Sequence, residues 1–320
     1  MKQQISLSMT GYFDKGKQTK REKFLAEMDG VVPWQRLIAL IEPYYAKADR
    51  AVGGRPPLPL ATALRIYFLQ QWYNLSDPGA EEALYDSLAM RQFARIRTDA
   101  DVIPDESSIL RFRRLLEEHK LTEAIFAEVT LHLGEQGLVL GKGTIVDATI
   151  LNAPCSTKNA TGERDPEMEQ TKKGNQWYFG MKAHTGTDTD SGVVHTLVCT
   201  AANVHDSTVV GELLHGEEHS AYADSAYSAK ALRSLAQASG LNYRACERAK
   251  RNRPLTERQK RRNRAISQIR AIGEHPYLVV KRLWGHVKVR YRGIAKNAAQ
   301  LCTLFALANL YHVRHRLLST

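Results

Sequence analysis

The spacing of apolar residues divides the chain into two parts with different periodicities. In the first part, apolar residues recur at the spacing of one helix face, as Leu64, Phe68 and Trp72 do in ATALRIYFLQQWYNL. The Gly/Pro break VGGRPPLPL before this stretch indicates that a helix starts near Leu60. The helical pattern continues to about Gly137.

Helix-breaking residues and N-cap residues predict where the other helices of this first part begin. After a polar lead, a short amphipathic helix is predicted around residues 34–45. SDPG at 76–79 indicates a turn, which a second helix follows. Asp105 is a good N-cap residue, so we predict that a third helix starts there, in IPDESSILRFRRLLEEHKL.

Near residue 140 the pattern changes to short apolar runs. GTIVDATIL (143–151) is rich in β-branched residues, which is typical of a buried strand. We then predict a polar loop over 153–176, two strands joined by a turn at 188–192, a short helix after Asp206, a strand ending at Asp224, a strand at 241–248, and helices over 256–283 and 297–316. The predicted fold class is α+β (mixed): a helical N-terminal region, 1–138, and a second domain, 139–320, with a mixed sheet flanked by helices.

Composition narrows the class of protein. The chain has no apolar run of the roughly 18 residues that a transmembrane helix needs, so no membrane partner is expected. The start, MKQQISLSMTGYFDKGKQ, lacks the apolar core of a signal peptide, which favours a cytoplasmic protein. The cysteines form no CxxC pair, which favours reduced, mostly buried thiols over a zinc site or a disulfide framework.

Positive charge is concentrated in one segment. The net charge is +11, and residues 248–296 carry sixteen Lys and Arg against two acids, or +14, which leaves −3 for the rest. This distribution is typical of a surface that binds nucleic acid, although a generally basic face would give the same count. Within the segment, RAKRNRPLTERQKRRNR (248–264) contains Arg261 and Arg262. We interpret it as a stretch that follows DNA rather than as a solvated linker.

Three carboxylates stand where an acid is unexpected. Asp147 interrupts an apolar strand, Asp224 ends a predicted strand, and Glu274 lies in the basic segment. Taken singly, an Asp at a strand end is typical of a turn or cap, and a Glu among cations of a surface ion pair. Together they predict a magnesium site for phosphodiester chemistry. Mg²⁺ prefers oxygen ligands, and two such ions can activate a water and stabilise the leaving oxygen.

The surroundings of Glu274 add two cations. On a helix, Arg270, Glu274 and Lys281 fall on one face, which would present one ligand between two groups that bind phosphate. Pro276 fits a helix interior badly. Either a helix begins near Pro276 with Glu274 just before it, or a longer helix kinks there.

Other basic side chains are candidates for DNA contacts. Arg111, Arg113 and Arg114 lie near the front of the third predicted helix, where they would meet DNA phosphates or a major groove. A solvated face of a helical bundle explains them equally well. Three side chains, Trp177, Lys182 and His184, follow the polar loop on a predicted strand, and either line the site or occupy ordinary positions on an edge strand.

The motifs around these acids resemble those of the DDE transposases of small bacterial insertion sequences, specifically the insertion-sequence-five family. The resemblance runs from about Pro56 onwards and is carried by VDATIL, RDPEM with TKKGNQWYFGMKAH, TAANVHD, LLHGEE, ADSAY, RAIGEHPY with VKRLWG, and RYRGIAKN with LFALANL. Of the broader signature of Tyr, Arg, Glu and Lys, the last three match Arg270, Glu274 and Lys281, and Ser267 stands where Tyr is usual.

The resemblance implies a ribonuclease-H-like catalytic domain in which Asp147, Asp224 and Glu274 hold Mg²⁺, with Mn²⁺ as a substitute. It also implies a DNA transposase that binds the terminal inverted repeats of its element through the helical region and the basic segment. Such an enzyme cleaves at the element ends and joins the 3′-hydroxyls to target DNA. The implied partners are double-stranded DNA and further copies of the chain, as a homodimer or larger assembly, in a bacterial nucleoid.

Two alternatives from other classes stay open. One is a non-catalytic, sequence-specific DNA-binding protein derived from a transposase. The other is a metal-dependent nuclease without strand transfer. A binder gains nothing from buried carboxylates beside phosphates, so the three acids argue against the first alternative.

Overall fold

A helical region followed by a six-stranded mixed sheet makes up the computed structural model of the chain. The described residues are 17–45, 57–97, 101–139, 141–159, 162–228, 232, 234, 236 and 238–319. Within these ranges, no helix is both long and apolar enough to cross a membrane.

The first part of the chain is helical, as predicted. Its helices are α1 (Lys20–Val31), α2 (Trp34–Ile41) with a 3-10 turn (Glu42–Tyr44), α3 (Leu60–Tyr73), α4 (Asp77–Asp86), α5 (Leu88–Phe93), α6 (Glu106–Glu118) and α7 (Leu121–Glu135). The predicted starts of α3 and α6 are confirmed. Asp105 caps α6, since its carboxylate accepts a hydrogen bond from the amide of Ser108 at 2.7 Å.

Two predictions for this region were wrong. SDPG is not a turn but the beginning of α4: Ser76 accepts a hydrogen bond from the amide of Gly79, and Pro78 stands in the first helical turn, where no amide hydrogen is needed. The polar lead also contains α1. Thr19 and Glu22 form a capping box there, and Leu25, Met28 and Val31 are buried at the spacing of one helix face, so both signals were present in the sequence.

The sheet is mixed, as predicted. Its strands are β1 (Gly143–Asn152), β2 (Glu169–Lys173), β3 (Gln176–Asp188), β4 (Val194–Ala201), β5 (Ser220–Ala223) and β6 (Asn242–Ala245). The order is β2-β3-β1-β5-β6, with β4 also paired to β3. β3 is antiparallel to β1, β2 and β4, whereas β1, β5 and β6 are parallel. The strand β2 corrects the polar loop predicted over 153–176, because a strand exposed on both faces shows no alternation.

The remaining helices lie between and after the later strands. They are a 3-10 turn (Asp206–Thr208), α8 (Val210–Leu213), a second 3-10 turn (Ser225–Tyr227), α9 (Glu257–Arg270), a third 3-10 turn (Ala271–Gly273), α10 (Glu274–Leu278), a π-helical turn (Val279–Leu283) and α11 (Ile294–Leu317). The chain is therefore helical from 257 to 283, which favours the longer helix of the two alternatives. Pro276 lies in the first turn of α10, where its missing amide hydrogen is tolerated.

One hydrophobic core crosses the division expected at residues 138 and 139. α11 packs against α7 and α1 on one side and β4 on the other. The side chain of Asn309 accepts a hydrogen bond from the amide of Val194 and donates one to its carbonyl. The hydroxyls of Tyr67 and Thr303 lie 3.1 Å apart. The domain boundary stays a prediction, and α11 ties the helical region to the sheet.

The four cysteines are free, but the prediction that most are buried was wrong. Cys302 is buried, Cys199 and Cys246 are half-buried, and Cys155 is exposed.

Candidate active site

Two of the three unexpected acids are neighbours across parallel strands. Val146 pairs with Ala223 at the end of the ladder between β1 and β5. Asp147 and Asp224 are the next residues, so they lie side by side where β5 ends and β1 continues. Asp224 also caps the following 3-10 turn, since its Oδ1 accepts a hydrogen bond from the amide of Ala226 at 2.8 Å. The edge thus formed is a usual place for functional groups in such sheets.

The helical segment that carries Glu274 is fixed against the same part of β1. A Cβ on Gly273 would lie 2.8 Å from Cγ2 of Ile145, so the helix and the strand are in close contact there. One turn later, the hydroxyl of Tyr277 donates a hydrogen bond to the carbonyl of Asp147 at 3.1 Å. These two contacts flank Glu274 and hold it near the Asp pair.

The electrostatics of Asp147 connect the three acids. Burial raises the pKa of Asp147 to about 6, the guanidinium of Arg270 opposes that rise, and the negative charges of Asp224 and Glu274 add to it. Arg270 is the nearby cation, with Nη2 at 3.4 Å from Oδ1 of Asp147. The site is therefore a concentration of negative charge that one arginine partly balances.

The oxygen ligands at this site are of the type that a hard divalent cation prefers. Asp147 and Asp224 supply carboxylate oxygens from adjacent strand ends, and Mg²⁺ is commonly bound through one or two carboxylates, with waters and phosphates as its other ligands. Across the parts of the chain that the structure describes, no three His, Cys, Asp or Glu side chains are placed to hold one ion together. Glu274 is exposed on α10. The two aspartates fit a cation here, and the glutamate does not share it in this structure.

The two cations predicted to flank Glu274 both contact β1. Arg270 pairs with Asp147, and the amine of Lys281 donates hydrogen bonds to Oγ1 of Thr149 at 2.9 Å and to the carbonyl of Ile150 at 2.7 Å. Burial lowers the pKa of Lys281, and the charge of a nearby lysine lowers it further. Arg270 and Lys281 therefore face the strand, whereas Glu274, the third residue of the predicted face, is exposed.

Lys182 and His184 have structural contacts in place of the predicted DNA contacts. The amine of Lys182 donates hydrogen bonds to Asp206 and to the carbonyl of Val204, both at 2.7 Å. His184 is fully buried, and its Nε2 lies 2.9 Å from Oγ1 of Thr200. Their strand, β3, is central rather than an edge strand, because β1 and β4 pair with its two sides along these residues.

Arg113 is likewise engaged inside the protein. Its guanidinium forms ion pairs with Asp77 and Glu117, both at 2.9 Å, and lies 4.5 Å above the ring of Tyr291. Burial acts to lower the pKa of Arg113, and the hydrogen bonds to the two carboxylates raise it overall. Arg113 therefore holds α6 to α4 and is not presented to DNA.

The other basic candidates are on the surface. Arg111 and Arg114 are exposed on α6, and Arg261 and Arg262 are exposed on α9. The guanidinium of Arg262 lies 3.6 Å from a carboxylate oxygen of Glu247, and such exposed pairs are weak. Their DNA contacts stay predictions.

Gly273 and Tyr277 were missed by sequence reasoning. They stand four positions apart around Glu274, which is the spacing of one helix face. That spacing was a usable signal that both residues contact the same neighbouring element, which is β1.

Comparison with protein families shows which family the chain belongs to. A family model described as the transposase DDE domain matches residues 140–310, more than half of the 320-residue chain. The chain belongs to the DDE transposase family. A second model, described as a transposase domain (DUF772), matches residues 13–115 of this transposase. No solved structure matches the chain.

The family agrees with the resemblance drawn from the motifs. The transposase assignment is confirmed, and the insertion-sequence-five subfamily is compatible with both matched models. The fold class is confirmed too, since a mixed sheet after a helical region is consistent with a ribonuclease-H-like DDE domain. Asp147, Asp224 and Glu274 all lie within the matched residues 140–310. Members of the family generally use divalent metal ions.

Proposed function

We propose that this transposase cleaves DNA at the ends of its insertion sequence and joins the freed 3′-hydroxyls to target DNA. Its metal-binding carboxylates would be Asp147, Asp224 and Glu274. The observation that carries the proposal is the adjacency of Asp147 and Asp224 at the end of the β1–β5 ladder. The contact of Tyr277 with Asp147 supports the third assignment, because it fixes the helix of Glu274 beside that pair.

The cation would be Mg²⁺, with Mn²⁺ as a substitute, held by Asp147 and Asp224 with Glu274, which stands apart from them in this structure, as the third ligand. When bound, it supplies Lewis-acid activation of a water and neutralises phosphate charge. Arg270 acts separately from the cation. It balances the charge of Asp147, and its buried Nε lacks a hydrogen-bond partner in the described structure. The Arg270 side chain is 19% exposed, so a phosphate oxygen of the strand that enters the site would meet the accessible part of its guanidinium.

DNA would be held by exposed cations outside the site. Arg111 and Arg114 on α6 would contact the terminal inverted repeats, and Arg261 and Arg262 on α9 would neutralise phosphates along the duplex. Both element ends must be held together for joining, so the active form would be a homodimer or larger assembly on DNA. The site of action would be the nucleoid in the bacterial cytoplasm.

The test uses a plasmid that carries the native element with its flanking DNA. Purified protein and Mg²⁺ are added, and strand breaks and joined products are mapped for wild type, Glu274→Gln and Glu257→Gln. Glu257 is a matched control, because it is an exposed acid of the same basic segment that pairs only with the neighbouring Lys260 in the described structure.

We expect breaks at the element ends for wild type and Glu257→Gln, and a loss of several orders of magnitude for Glu274→Gln with DNA binding kept. Cleavage by Glu274→Gln at the wild-type rate would overturn the third assignment. Breaks without joined products would favour a nuclease. Bound DNA with no breaks for any of the three proteins would favour the non-catalytic binder.

A further inference from the structure

The tips of β2 and β3 form a two-stranded ribbon that extends past the rest of the sheet. Residues 176–179 of β3 pair with β2, whereas the ladder with β1 stops at Gly180 and the ladder with β4 stops at Met181. A tight turn joins the two strands of the ribbon and contains Gly174 at φ +63°. No residue of β2 is buried, so this strand of the ribbon is not packed against the rest of the protein.

The ribbon tip presents a basic and aromatic surface. Lys172, Lys173, Asn175 and Gln176 are exposed, and the ring of Trp177 is 64% exposed. Lys172 is the cross-strand neighbour of Trp177, and its amine lies 5.8 Å from the ring centroid. The tip sequence TKKGNQW contains two cations and no acid. An exposed indole of this size among cations is typical of a binding surface.

The indole lies on the same face of the sheet as the acids. Side chains alternate along a strand, so Trp177 and Thr185 of β3 share a face. Thr185 pairs with Asp147, and its hydroxyl lies 2.6 Å from that of Tyr277 on α10. Eight strand residues separate Trp177 from Thr185, a span of about 26 Å.

We propose that this ribbon enters the major groove of the duplex that flanks the reacting bond. The inference rests on the proposed function, which places DNA at Asp147. A major groove admits a two-stranded β-ribbon. The side chains at the tip suit its contents: lysine amines donate to guanine or phosphate, the amides of Asn175 and Gln176 bind adenine edges, and the indole of Trp177 packs on thymine methyl groups. At ~3.4 Å per base pair, the contact lies about eight base pairs from the bond.

Duplex DNA is the occupant that these observations favour. The tip is positively charged, the ribbon has the width that the groove accepts, and it lies on the face that carries the acids. A single strand stacked on Trp177 is the rival occupant. It would need the indole and the cations, but neither the paired ribbon nor the base-reading amides.

The experiment measures affinity and footprint on a labelled duplex of the element end with its flanking DNA. The test variants are Trp177→Ala and the double variant Lys172→Ala/Lys173→Ala. The matched controls are Tyr85→Ala, an exposed aromatic on α4, and Lys142→Ala, an exposed lysine before β1 at the opposite end of the sheet. All four changes are at exposed side chains, so the fold should survive them.

We expect Trp177→Ala to weaken duplex binding by about tenfold, and to lose hydroxyl-radical protection about eight base pairs from the cleaved bond while other protection is kept. The double lysine variant should reduce the salt dependence of binding by about two phosphate contacts. The controls should bind like wild type. Duplex should also reduce the quenching of Trp177 by acrylamide. Fluorescence quenching reports mainly on this residue, because Trp72 and Trp284 are buried and Trp34 is half-buried.

Three results would overturn the ribbon contact: unchanged affinity and footprint for Trp177→Ala, equal losses for the controls, or tighter binding of a single strand of the same sequence than of the duplex. The proposed function fails separately. If Glu274→Gln cleaved DNA normally, the ribbon footprint would stand while the carboxylate assignment would not.

Discussion

The guanidinium of Arg270 lies 3.4 Å from the carboxylate of Asp147, although 123 positions separate them in the chain. Arg270 is the last residue of α9, four positions before Glu274. One cation thus links the first carboxylate of the site to the helix that carries the third. The helical segment that carries Glu274 therefore also influences the pKa of Asp147, through Arg270.

Replacing Arg270 should move the pH dependence of cleavage. Burial raises the pKa of Asp147 to about 6, and Arg270 opposes that rise, so Arg270→Gln raises this pKa further. A carboxylate with a higher pKa is ionised only at higher pH. The rate profile should therefore shift upward by on the order of one pH unit, and less for Arg270→Lys. Cleavage rates with Mg²⁺ from acidic to neutral pH measure the shift, and superimposable profiles would contradict it.

Removing the charge of Asp147 should stabilise the fold while it abolishes cleavage. The raised pKa of Asp147, to about 6, shows that burial disfavours the ionised carboxylate. Asp147→Asn keeps the size of the side chain and removes that cost. We expect the free energy of unfolding above neutral pH to rise by roughly 1–2 kcal/mol. Urea unfolding without added metal measures this change.

Glu274→Gln is the control for that stability measurement. Glu274 is exposed, so its free energy of unfolding should stay within about 0.5 kcal/mol of wild type. A destabilised Asp147→Asn would mean that the ion pair with Arg270 outweighs the burial cost.

Replacing Arg113 should affect the stability of the fold, whereas replacing its neighbour Arg114 should affect DNA binding. Arg113 is bound to Asp77 and Glu117 inside the protein, whereas Arg114 is exposed. Arg113→Ala should lower the free energy of unfolding by roughly 2 kcal/mol, because it leaves two half-buried carboxylates without their partner. Arg114→Ala should leave stability unchanged and reduce the salt dependence of DNA binding by about one phosphate contact. Thermal melts and binding titrations at several salt concentrations separate the two effects. A normal melt for Arg113→Ala would refute its structural role.

The packing of Gly273 on β1 should set the position of Glu274. A Cβ at Gly273 would lie 2.8 Å from Cγ2 of Ile145, so Gly273→Ala must push α10 away from the strand. Since a shift of about 1 Å in a catalytic group can cost about a hundredfold in rate, cleavage should fall on that order while DNA affinity is kept. Gly211→Ala is the control, because a Cβ at Gly211 would have no neighbour within 4 Å. Equal cleavage rates for the two variants would exclude this positioning role.

Acid should destabilise the fold through buried histidines. Burial lowers the pKa of His184 and of His286 to about 4. The unfolded chain takes up these protons near pH 6.5, and the folded chain does not, so the free energy of unfolding falls as the pH drops from about 6.5 towards about 4. Asp147 acts in the opposite sense, because its raised pKa lets the folded chain take up a proton first. Burial also lowers the pKa of His195 to about 4, so three histidines should outweigh one aspartate.

Urea unfolding at several pH values tests this effect. His286→Asn should flatten the loss of stability below about pH 6.5, by on the order of 2 kcal/mol at the acid end. His119→Asn, at an exposed histidine, should leave the slope as in wild type. An unchanged slope for His286→Asn would show that other groups control the acid response.

Much of the architecture could be read from local pattern. Helical spacing, β-branched runs and caps predicted α3, α6, β1 and β3 at nearly the observed residues, because these signals depend on neighbours in sequence. The strand β2 was not predicted, because neither of its faces is buried and its sequence therefore shows no apolar alternation. The three acids could be found because each breaks a local expectation of burial or charge.

The sequence by itself determined most of the helices and strands and the basic segment, and it singled out the three acids as unusual. Only the tertiary structure decided that Asp147 and Asp224 are neighbours, since the parallel pairing of β1 with β5 joins residues far apart in the chain. It also decided that Arg113 and His184 face the interior. Whether a polar side chain meets water, a partner or DNA depends on which elements pack around it, and contacts between distant segments set that packing.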